Sequence, residues 1–301
     1  MQRIDVLGSV NVDLVSVVER LPAPGETVAG GEMAVLLGGK GANQAIAAAR
    51  AGGNVAMWGA VGAQSFGLDP IAEIGASGVD VAGLARLGGP TGAALIAVDG
   101  TGENSIVVSP GANARAAEAV DPSALTGEWL LAQMELPPAL VAEAFQAAKA
   151  RGARTILNAA PALPPPEGLL EATDFLILNE TELAAWSGVT VGEASRQPDI
   201  AEAAAALAMR PDQTVIVTLG AKGALTFAAG AIIETHPCPA VVVDTTGAGD
   251  CFCGALAARL AEAVPLDAAL RFAAAAAAIS VGRPGAASSM PRRAEIEATL
   301  S

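Results

Sequence analysis

The segment Asp244–Asp250 (Asp-Thr-Thr-Gly-Ala-Gly-Asp) combines glycines with a carboxylate in a pattern suited to phosphate chemistry. It follows Val241–Val243 and precedes an apolar stretch, which predicts a strand, a loop and the start of a helix. Glycines let the backbone approach a ligand closely, and free N–H groups at a helix N-terminus attract phosphate oxygens. Asp250 would then accept a proton from an attacking hydroxyl. The alternative is structural: Asp250 only caps the helix, and the glycines only turn the chain.

A second glycine-rich segment, Gly38–Gln44 (Gly-Gly-Lys-Gly-Ala-Asn-Gln), offers hydrogen-bond donors. It is not a P-loop, because no Ser or Thr follows the lysine at the required place, and it is not a dinucleotide fingerprint. Lys40 and Asn43 suit a ligand with many hydroxyls, although the segment could be a plain strand-to-helix turn. Asn11 and Asp13 follow the first strand and would join this site if the strands are parallel neighbours. Otherwise Asp13 is a solvated loop carboxylate.

Polar residues and glycines also follow two later strands. They are Asn179 and Glu182 after the first of these strands, and Thr218, Gly220 and Gly223 after the second. Parallel sheets bind their ligands at the carboxyl ends of strands, so these residues are candidates for a ligand site. Helix capping and turn formation are the structural alternatives. His236 is the only histidine, and no Ser-His-Asp triad can be built around it, so we expect it to be structural.

The arrangement of elements along the chain explains how these residues would be positioned. From about residue 127 onward, strands alternate with short helices, which predicts βαβ units and a parallel sheet. The earlier part is richer in strands, with a hairpin signal at Asp99-Gly100. We expect segments of about 12–37 and 90–109 to form a small β lid over the edge of the main sheet. Residues 1–301 would form one domain.

The composition narrows the possible partners and the compartment. The net charge is −14, which repels nucleic acid backbones and argues against nucleic acid as a partner. The three cysteines match no zinc pattern and are expected to be buried in a reducing compartment. The N-terminus runs straight into a strand and does not resemble a signal peptide, and no apolar run is long enough to span a membrane. We therefore expect a cytoplasmic protein without membrane partners.

Taken together, the motifs resemble those of the ribokinase-like, or PfkB, family of sugar kinases, and the resemblance runs nearly end to end. The segments that carry it, in chain order, are Gly8–Asp13, Pro24–Thr27, Gly38–Ala45, Gly111–Ala114, Asn158–Pro161, Asn179–Glu182 and Asp244–Ala255. This resemblance implies a three-layer α/β/α fold with a mostly parallel central sheet and a small β-sheet lid. It also implies transfer of the γ-phosphate of ATP to a primary hydroxyl of a small sugar. We expect the 5-hydroxyl of D-ribose to be the best acceptor.

The resemblance assigns roles to residues in the sugar site and at the catalytic centre. Asp250 matches the family's catalytic base, and Gly247, Ala248 and Gly249 match its anion hole. The positions that match the sugar-binding residues are Asn11, Asp13, Gly39, Lys40, Asn43 and Glu135, together with Asp250. Asp13 and Glu135 would accept hydrogen bonds from sugar hydroxyls, and Lys40 and Asn43 would donate them.

The resemblance also implies cofactors. Asn179 and Glu182 match the motif that organises Mg²⁺ and the phosphates. Thr218, Gly220, Gly223 and Gly249 match the nucleotide site. The residues that match the loop holding an activating K⁺ in this family are Asp244, Thr246, Ser280, Arg283, Gly285 and Ser289. The lid strands form a dimer interface in the family, so a homodimer is expected.

Three other functions remain open on the sequence. The first is a PfkB-type kinase for another acceptor, such as deoxyribose, another pentose, a hexose phosphate or a nucleoside. For a hexose phosphate, the early region offers chiefly Lys40 as a cation, and few aromatic residues are present to hold a nucleoside base. The second is a sugar-binding protein that has lost catalysis, against which the presence of Asp250 and its glycines argues. The third is a dinucleotide oxidoreductase, which would lack its fingerprint loop.

Overall fold

The computed structural model describes residues 1–192 and 195–300 of the chain. The strands are β1 (Arg3–Leu7), β2 (Asn11–Val17), β3 (Ala34–Gly38), β4 (Asn54–Gln64), β5 (Asp80–Pro90), β6 (Gly92–Val98), β7 (Asn104–Ser109), β8 (Trp129–Gln133), β9 (Arg154–Asn158), β10 (Phe175–Asn179), β11 (Thr214–Thr218), β12 (Ala224–Ala228) and β13 (Ala231–Thr235). The α-helices are α1 (Lys40–Arg50), α2 (Pro70–Ala76), α3 (Pro138–Ala150), α4 (Glu180–Ser187), α5 (Gln197–Leu207), α6 (Ala248–Ala261), α7 (Leu266–Ser280) and α8 (Arg293–Leu300).

Within this described part, a nine-stranded sheet has the spatial order β13-β12-β11-β10-β9-β8-β1-β4-β5. In that order, the seven strands from β11 across to β5 all run parallel to one another, and β12 runs in the opposite direction, antiparallel to both β11 and β13. Parallel strands all end at the same edge of the sheet, so the loops that follow β8, β9, β10 and β11 lie side by side. This edge carries most of the candidate residues.

Helices cover both faces of the central sheet, which confirms the predicted three-layer α/β/α fold. Successive side chains of a strand point to opposite faces. Leu131 of β8 therefore packs in the core beneath α1, α6 and α7, whereas its neighbour Leu130 packs in the core beneath α3, α4 and α5. Both side chains are fully buried, and this double burial explains the continuous apolar runs of the parallel strands.

Helices α1 and α6 pack closely, because a glycine lies at their contact. A Cβ added at Gly254 of α6 would lie 2.4 Å from the carbonyl oxygen of Gln44 in α1. The absence of that side chain lets the two backbones approach each other, and the alanines of both helices fill the remaining space. The close contact brings the N-terminal turn of α6 against the N-terminal turn of α1.

A separate four-stranded sheet has the order β3-β2-β6-β7. Its central strands β2 and β6 are parallel, and β3 and β7 flank them antiparallel. This is the small sheet expected from the strand-rich early sequence. Asp13 lies inside β2, opposite Leu36 and Ala94, so it is not a residue of a solvated loop.

The segment around Val241–Val243 differs from the prediction, because it forms no strand. The three valines are 84%, 63% and 61% exposed. Val243 N–H instead donates to the carbonyl of Val281 at 2.7 Å, so the segment is held by the loop after α7 and not by a strand of the sheet. The local β propensity is not realised, because no strand lies alongside to pair with it. Strands β5, β12 and β13 were also not predicted from the sequence.

No helix in residues 1–192 and 195–300 has the length and apolar character that crossing a bilayer requires.

Candidate active site

Asp250 lies in the first turn of α6, with its carboxylate held by two amides of α1. Asn43 Nδ2 donates to Asp250 Oδ2 at 2.9 Å, and Gln44 Nε2 donates to Asp250 Oδ1 at 2.9 Å. The side chain is buried, with 6% of the residue exposed. Burial raises the pKa of Asp250 above its ordinary value, while Lys40 and the two amides act in the opposite direction. The carboxylate is thus oriented and more basic than a solvated aspartate.

The backbone before Asp250 makes a turn that requires glycine. Gly247 precedes the helix with φ 74°, in the left-handed region. The Ala248 N–H donates to the carbonyl of Thr245 at 3.2 Å, so this amide is engaged within the turn. Gly249 faces open space, since an added Cβ would meet no atom within 4 Å. The first N–H groups of a helix have no partner inside it, so this turn can bind an anion.

The candidate sugar residues come together from three elements next to Asp250. Gly39 (φ 92°) precedes Lys40 and Asn43 at the start of α1, and Asn11 and Asp13 belong to β2. The remaining member, Glu135, follows β8 and accepts hydrogen bonds from Ser9 Oγ and from the Lys40 N–H, the latter at 3.1 Å. Glu135 therefore ties the loop after β1 to the first residue of α1.

The charges of this cluster influence one another. Burial, followed by the nearby charges of Glu135 and Asp250, raises the pKa of Asp13 to about 6. Burial lowers the pKa of Lys40, but Asp250, Glu135 and Glu182 outweigh it and hold that pKa above its ordinary value. Lys40 therefore stays positively charged among carboxylates. Such a cluster offers several acceptors and one strong donor to a ligand rich in hydroxyl groups.

Asn179 and Glu182 form a capping box at the start of α4. Glu182 N–H donates to Asn179 Oδ1 at 2.8 Å, and Asn179 N–H donates to Glu182 Oε2 at 2.9 Å. The structural alternative considered for these residues is therefore realised, although it leaves the other carboxylate oxygen of Glu182 available. Burial raises the pKa of Glu182 above its ordinary value. Its charge is felt by Lys40, so the capping box borders the same site.

The residues after β11 form a turn next to Asn179. Thr218 pairs with Asn179 across the parallel strands, and its hydroxyl donates to the carbonyl of Leu178 at 3.3 Å. Gly220 and Gly223 both have positive φ angles, 55° and 91°. A Cβ at Gly223 would lie 2.0 Å from the carbonyl oxygen of Thr235, so this position tolerates only glycine.

Only part of the proposed potassium loop is brought together by side chains. Asp244 Oδ1 accepts from Thr246 N–H at 2.9 Å, and Asp244 Oδ2 accepts from Gly285 N–H at 2.8 Å. Burial raises the pKa of Asp244, but these hydrogen bonds outweigh it and hold the pKa below its ordinary value. The hydroxyls of Ser280 and Ser289 donate to carbonyls of their own turns.

The Arg283 side chain pairs with Glu295 of α8. In the described residues no group of three His, Cys, Asp or Glu side chains could hold a metal ion by itself. The end of α7 and the loop after it offer hard oxygen donors of another kind, namely backbone carbonyls and the hydroxyl oxygens of Ser280 and Ser289, which complement the carboxylate of Asp244.

A cleft of about 810 Å³ opens between the small sheet and the loops at 242–246 and 284–288. Asp13, Val15 and Ile96 line it from the small sheet, and Ile46 and Arg50 line it from α1. Asp250 is not part of this lining, so the cleft reaches the candidate sugar residues through Asp13. Its walls are largely apolar beneath the small sheet.

Several polar residues around the site had been given no role on the sequence. Asn113 Nδ2 donates to Asn11 Oδ1 at 2.8 Å, and Ser9 contacts Glu135. Behind Asp250, Gln44 contacts both Asn158 and Gln133. Asn113, Gln44 and Asn158 belong to motifs already noted, and Gln133 ends a strand at the ligand-binding edge of the sheet. This position in the fold was the signal available for Gln133.

Comparison with known proteins identifies the class. The model of the pfkB family of carbohydrate kinases matches residues 1–293. The chain therefore belongs to the pfkB carbohydrate kinase family. It is 38% identical to a ribokinase of Haemophilus influenzae, over 96% of this chain and 95% of that protein. It is 36% identical to a ribokinase of Schizosaccharomyces pombe, over 100% and 98% of the two chains.

Solved structures agree with this assignment. The Arabidopsis thaliana ribokinase in complex with ribose and ATP superimposes with a TM-score of 0.89 and 33% identity, over 100% of this chain and 99% of that chain. A ribokinase of Thermotoga maritima gives a TM-score of 0.88 and 37% identity, again over 100% and 99%. The agreement extends across the central sheet and the small sheet.

Proposed function

We propose that this protein is an ATP-dependent sugar kinase that transfers the γ-phosphate of ATP to the 5-hydroxyl of D-ribose. The observation that carries the proposal is the buried carboxylate of Asp250, which is oriented by Asn43 and Gln44 at the open N-terminal turn of α6. The full-length similarity to ribokinases supports ribose as the acceptor.

Asp250 acts as the general base. A sugar hydroxyl is a weak nucleophile, and phosphoryl transfer depends mainly on alignment and on neutralisation of charge. The hydroxyl oxygen forms a bond to the γ-phosphorus, the bond from that phosphorus to the bridging oxygen of ADP breaks, and the hydroxyl proton passes to Asp250. Backbone N–H groups of Gly247 and Gly249 stabilise the charge on the transferring phosphoryl group, while the Ala248 N–H holds the turn between them through the Thr245 carbonyl.

The sugar is held by the carboxylates and donors beside Asp250. Asp13 and Glu135 accept hydrogen bonds from sugar hydroxyls, and Lys40 and Asn43 donate to sugar oxygens. Asn11 and Gly39 complete the pocket. The small sheet, with Asp13 in β2, serves as a lid whose closure keeps water from competing as the phosphoryl acceptor.

ATP binds at the carboxyl edge of β10 and β11, with the nucleotide against Thr218, Gly220 and Gly223 and its phosphates against Gly249. Asn179 and Glu182 border the phosphates and Mg²⁺. Mg²⁺ commonly binds proteins through one or two carboxylates together with substrate phosphates, and the free oxygen of Glu182 fits that mode. When bound, Mg²⁺ neutralises phosphate charge. Each of these roles is part of the proposal.

A monovalent cation, K⁺, is proposed to bind at Asp244, Thr246, Ser280, Arg283, Gly285 and Ser289. The support is the contact between Asp244 and Gly285, which joins the loop after α7 to the loop that carries the anion site. Arg283 would contribute its backbone carbonyl, since its guanidinium pairs with Glu295. K⁺ would fix the position of the Gly247–Gly249 turn.

We further propose a cytoplasmic homodimer joined through the small sheet. That sheet exposes large apolar side chains on both faces, each at least 40% exposed. Val17, Leu36, Ile106 and Val108 lie on the face of Asp13, whereas the cross-strand partners Leu95 and Val107 lie on the opposite face, which is the face proposed to meet the partner. An apolar face of this kind is typical of a protein interface.

The test is a coupled assay of ADP release with ATP, Mg²⁺ and a panel of sugars, with and without K⁺. D-ribose should give the highest kcat/KM, and Asp250→Asn should lower kcat by at least ~10²-fold with the fold retained. Faster turnover with deoxyribose or a nucleoside would replace the acceptor. Sugar binding without any ADP release in the wild type would favour a non-catalytic binding protein.

A further inference from the structure

A chain of buried side-chain amides contacts the carboxylate of Asp250. Gln44 Nε2 donates to Asp250 Oδ1 at 2.9 Å and to Asn158 Oδ1 at 3.1 Å, while Gln133 Nε2 donates to Gln44 Oε1 at 2.7 Å. Gln44 and Gln133 are 0% and 1% exposed. Building on the proposed role of Asp250 as base, we propose that Gln44 is a positioning residue for phosphoryl transfer and that Gln133 and Asn158 determine which end of its amide faces Asp250.

The orientation of the Gln44 amide follows from the donors and acceptors around it. A glutamine amide presents an oxygen that accepts and an NH₂ group that donates. The NH₂ of Asn158 donates to the backbone carbonyl of Ile177 at 3.3 Å, which leaves the Asn158 oxygen facing Gln44. Gln133 then occupies the Gln44 oxygen. The Gln44 NH₂ is therefore directed toward both Asn158 and Asp250. A reversed amide would set its oxygen against the oxygens of Asn158 and Asp250, and its NH₂ against the NH₂ of Gln133.

The two oxygens of Asp250 are held from different sides. Gln44 contacts Oδ1 from the buried side, whereas Asn43 contacts Oδ2 from the side of the candidate sugar site. Two donors on two oxygens fix the plane of the carboxylate. Gln44 is fully buried and cannot touch a sugar. Its loss should therefore reduce kcat and leave sugar binding nearly unchanged.

Gln44 should also influence the titration of Asp250, because a hydrogen bond donated to a carboxylate favours the ionised form. The charged or titratable groups that act on Asp250, or on which it acts, are Lys40 of α1, Asp13 of β2, Glu135 after β8, Glu182 of α4, and Cys251 and Cys253 of its own helix. All of them remain when Gln44 or Gln133 is replaced. A difference between these variants and the wild type therefore reports on the amide chain.

The test compares Gln44→Met and Gln133→Met with Gln213→Met. Methionine keeps the approximate length of glutamine but has no N–H donor. Gln213 is a matched control, since it is 3% exposed and donates to the carbonyls of Leu170 and Thr173 at the opposite end of the sheet. For each variant we would measure melting temperature, kcat and KM for ribose between pH 5 and 9.

For Gln44→Met we expect kcat to fall by ~10²-fold, with KM for ribose within about threefold of the wild type. The acid limb of kcat should move up by about one pH unit. Gln133→Met should change both quantities in the same direction but by less, about tenfold in kcat, because the Gln44 amide remains and only its orientation is released. Gln213→Met should lower the melting temperature and leave both kinetic quantities unchanged.

A second measurement needs no turnover. The Asp250 carboxyl can be followed by ¹³C NMR in protein labelled at aspartate, with its signal assigned by its absence from Asp250→Asn. Its pKa should rise in Gln44→Met and in Gln133→Met, but not in Gln213→Met. Since neither sugar nor ATP is added, this result tests the amide chain even if the wild type does not phosphorylate ribose.

The proposal would be overturned if both Gln44→Met and Gln133→Met kept the kcat, the acid limb of kcat and the Asp250 titration of the wild type. A change confined to KM would overturn it as well. Should Gln44→Met fail to fold, Gln133→Met decides, because it keeps every group that contacts Asp250. In that variant, an unshifted Asp250 titration would refute the role assigned to Gln133 and the orientation argument with it.

Discussion

Replacing Asp13 by asparagine should stabilise the protein at neutral pH while weakening its binding of sugar. Burial, with Glu135 and Asp250, raises the pKa of Asp13 from 3.8 to about 6. An acid with a raised pKa binds its proton more tightly in the folded state, so folding is favoured below pH 3.8 and loses stability as the pH rises toward 6. Above pH 6 the cost is complete, and at ~1.4 kcal/mol for each pH unit it amounts to about 3 kcal/mol.

Asp13→Asn removes that cost because its side chain carries no charge. The free energy of unfolding at pH 7, measured by urea denaturation, should rise by up to about 3 kcal/mol, and the gain should shrink to about half at pH 5. Asp212→Asn is the control. Asp212 is an exposed partner of Arg210, which lowers the pKa of Asp212, so its replacement should bring no gain in stability.

The same substitution should weaken ribose binding, because the ionised carboxylate is the better acceptor for sugar hydroxyls. In the wild type, the affinity measured by calorimetry without ATP should fall about tenfold between pH 7 and pH 5, as Asp13 takes up its proton. In Asp13→Asn it should be lower and nearly independent of pH. An Asp13→Asn variant that is less stable than the wild type at pH 7 would refute the cost assigned to the buried charge of Asp13. Wild-type affinity for ribose in that variant would refute the role of Asp13 in binding.

Three further predictions concern the ions and the assembly. Glu182→Gln keeps an acceptor for the capping box but loses the charge. The Mg²⁺ concentration for half-maximal ADP release should therefore rise ~10-fold, with no loss of melting temperature. An unchanged Mg²⁺ dependence would exclude Glu182 as a Mg²⁺ ligand. Asp244→Asn should abolish activation by K⁺ while keeping the rate measured without K⁺, and activation equal to that of the wild type would move the ion site elsewhere. Val107→Glu places a charge on the exposed face of the small sheet and should convert a dimer to a monomer, as measured by analytical ultracentrifugation. Ile232→Glu, on β13, is the control and should leave the dimer intact. A wild type that is monomeric would contradict the proposed interface.

Much of the fold could be predicted from short-range pattern. The alternation of apolar strands and helices after residue 127 predicted the parallel sheet, and the turn signal at Asp99-Gly100 predicted the β6–β7 hairpin. These predictions hold because local periodicity and turn chemistry do not depend on distant residues. The prediction of a strand at Val241–Val243 is wrong, because a strand also needs a neighbouring strand as partner, and local sequence pattern does not reveal one.

The amino-acid sequence by itself determined the turn before Asp250, the capping box at Asn179 and Glu182, and the family to which the chain belongs. These depend on neighbouring residues, so the motifs record them directly. The tertiary structure decided which groups meet: Gln44 and Asp250 are 206 positions apart and meet only where α1 and α6 pack. It also decided the charge balance, because desolvation and Coulomb interactions, which act through space, raise the pKa of Asp13.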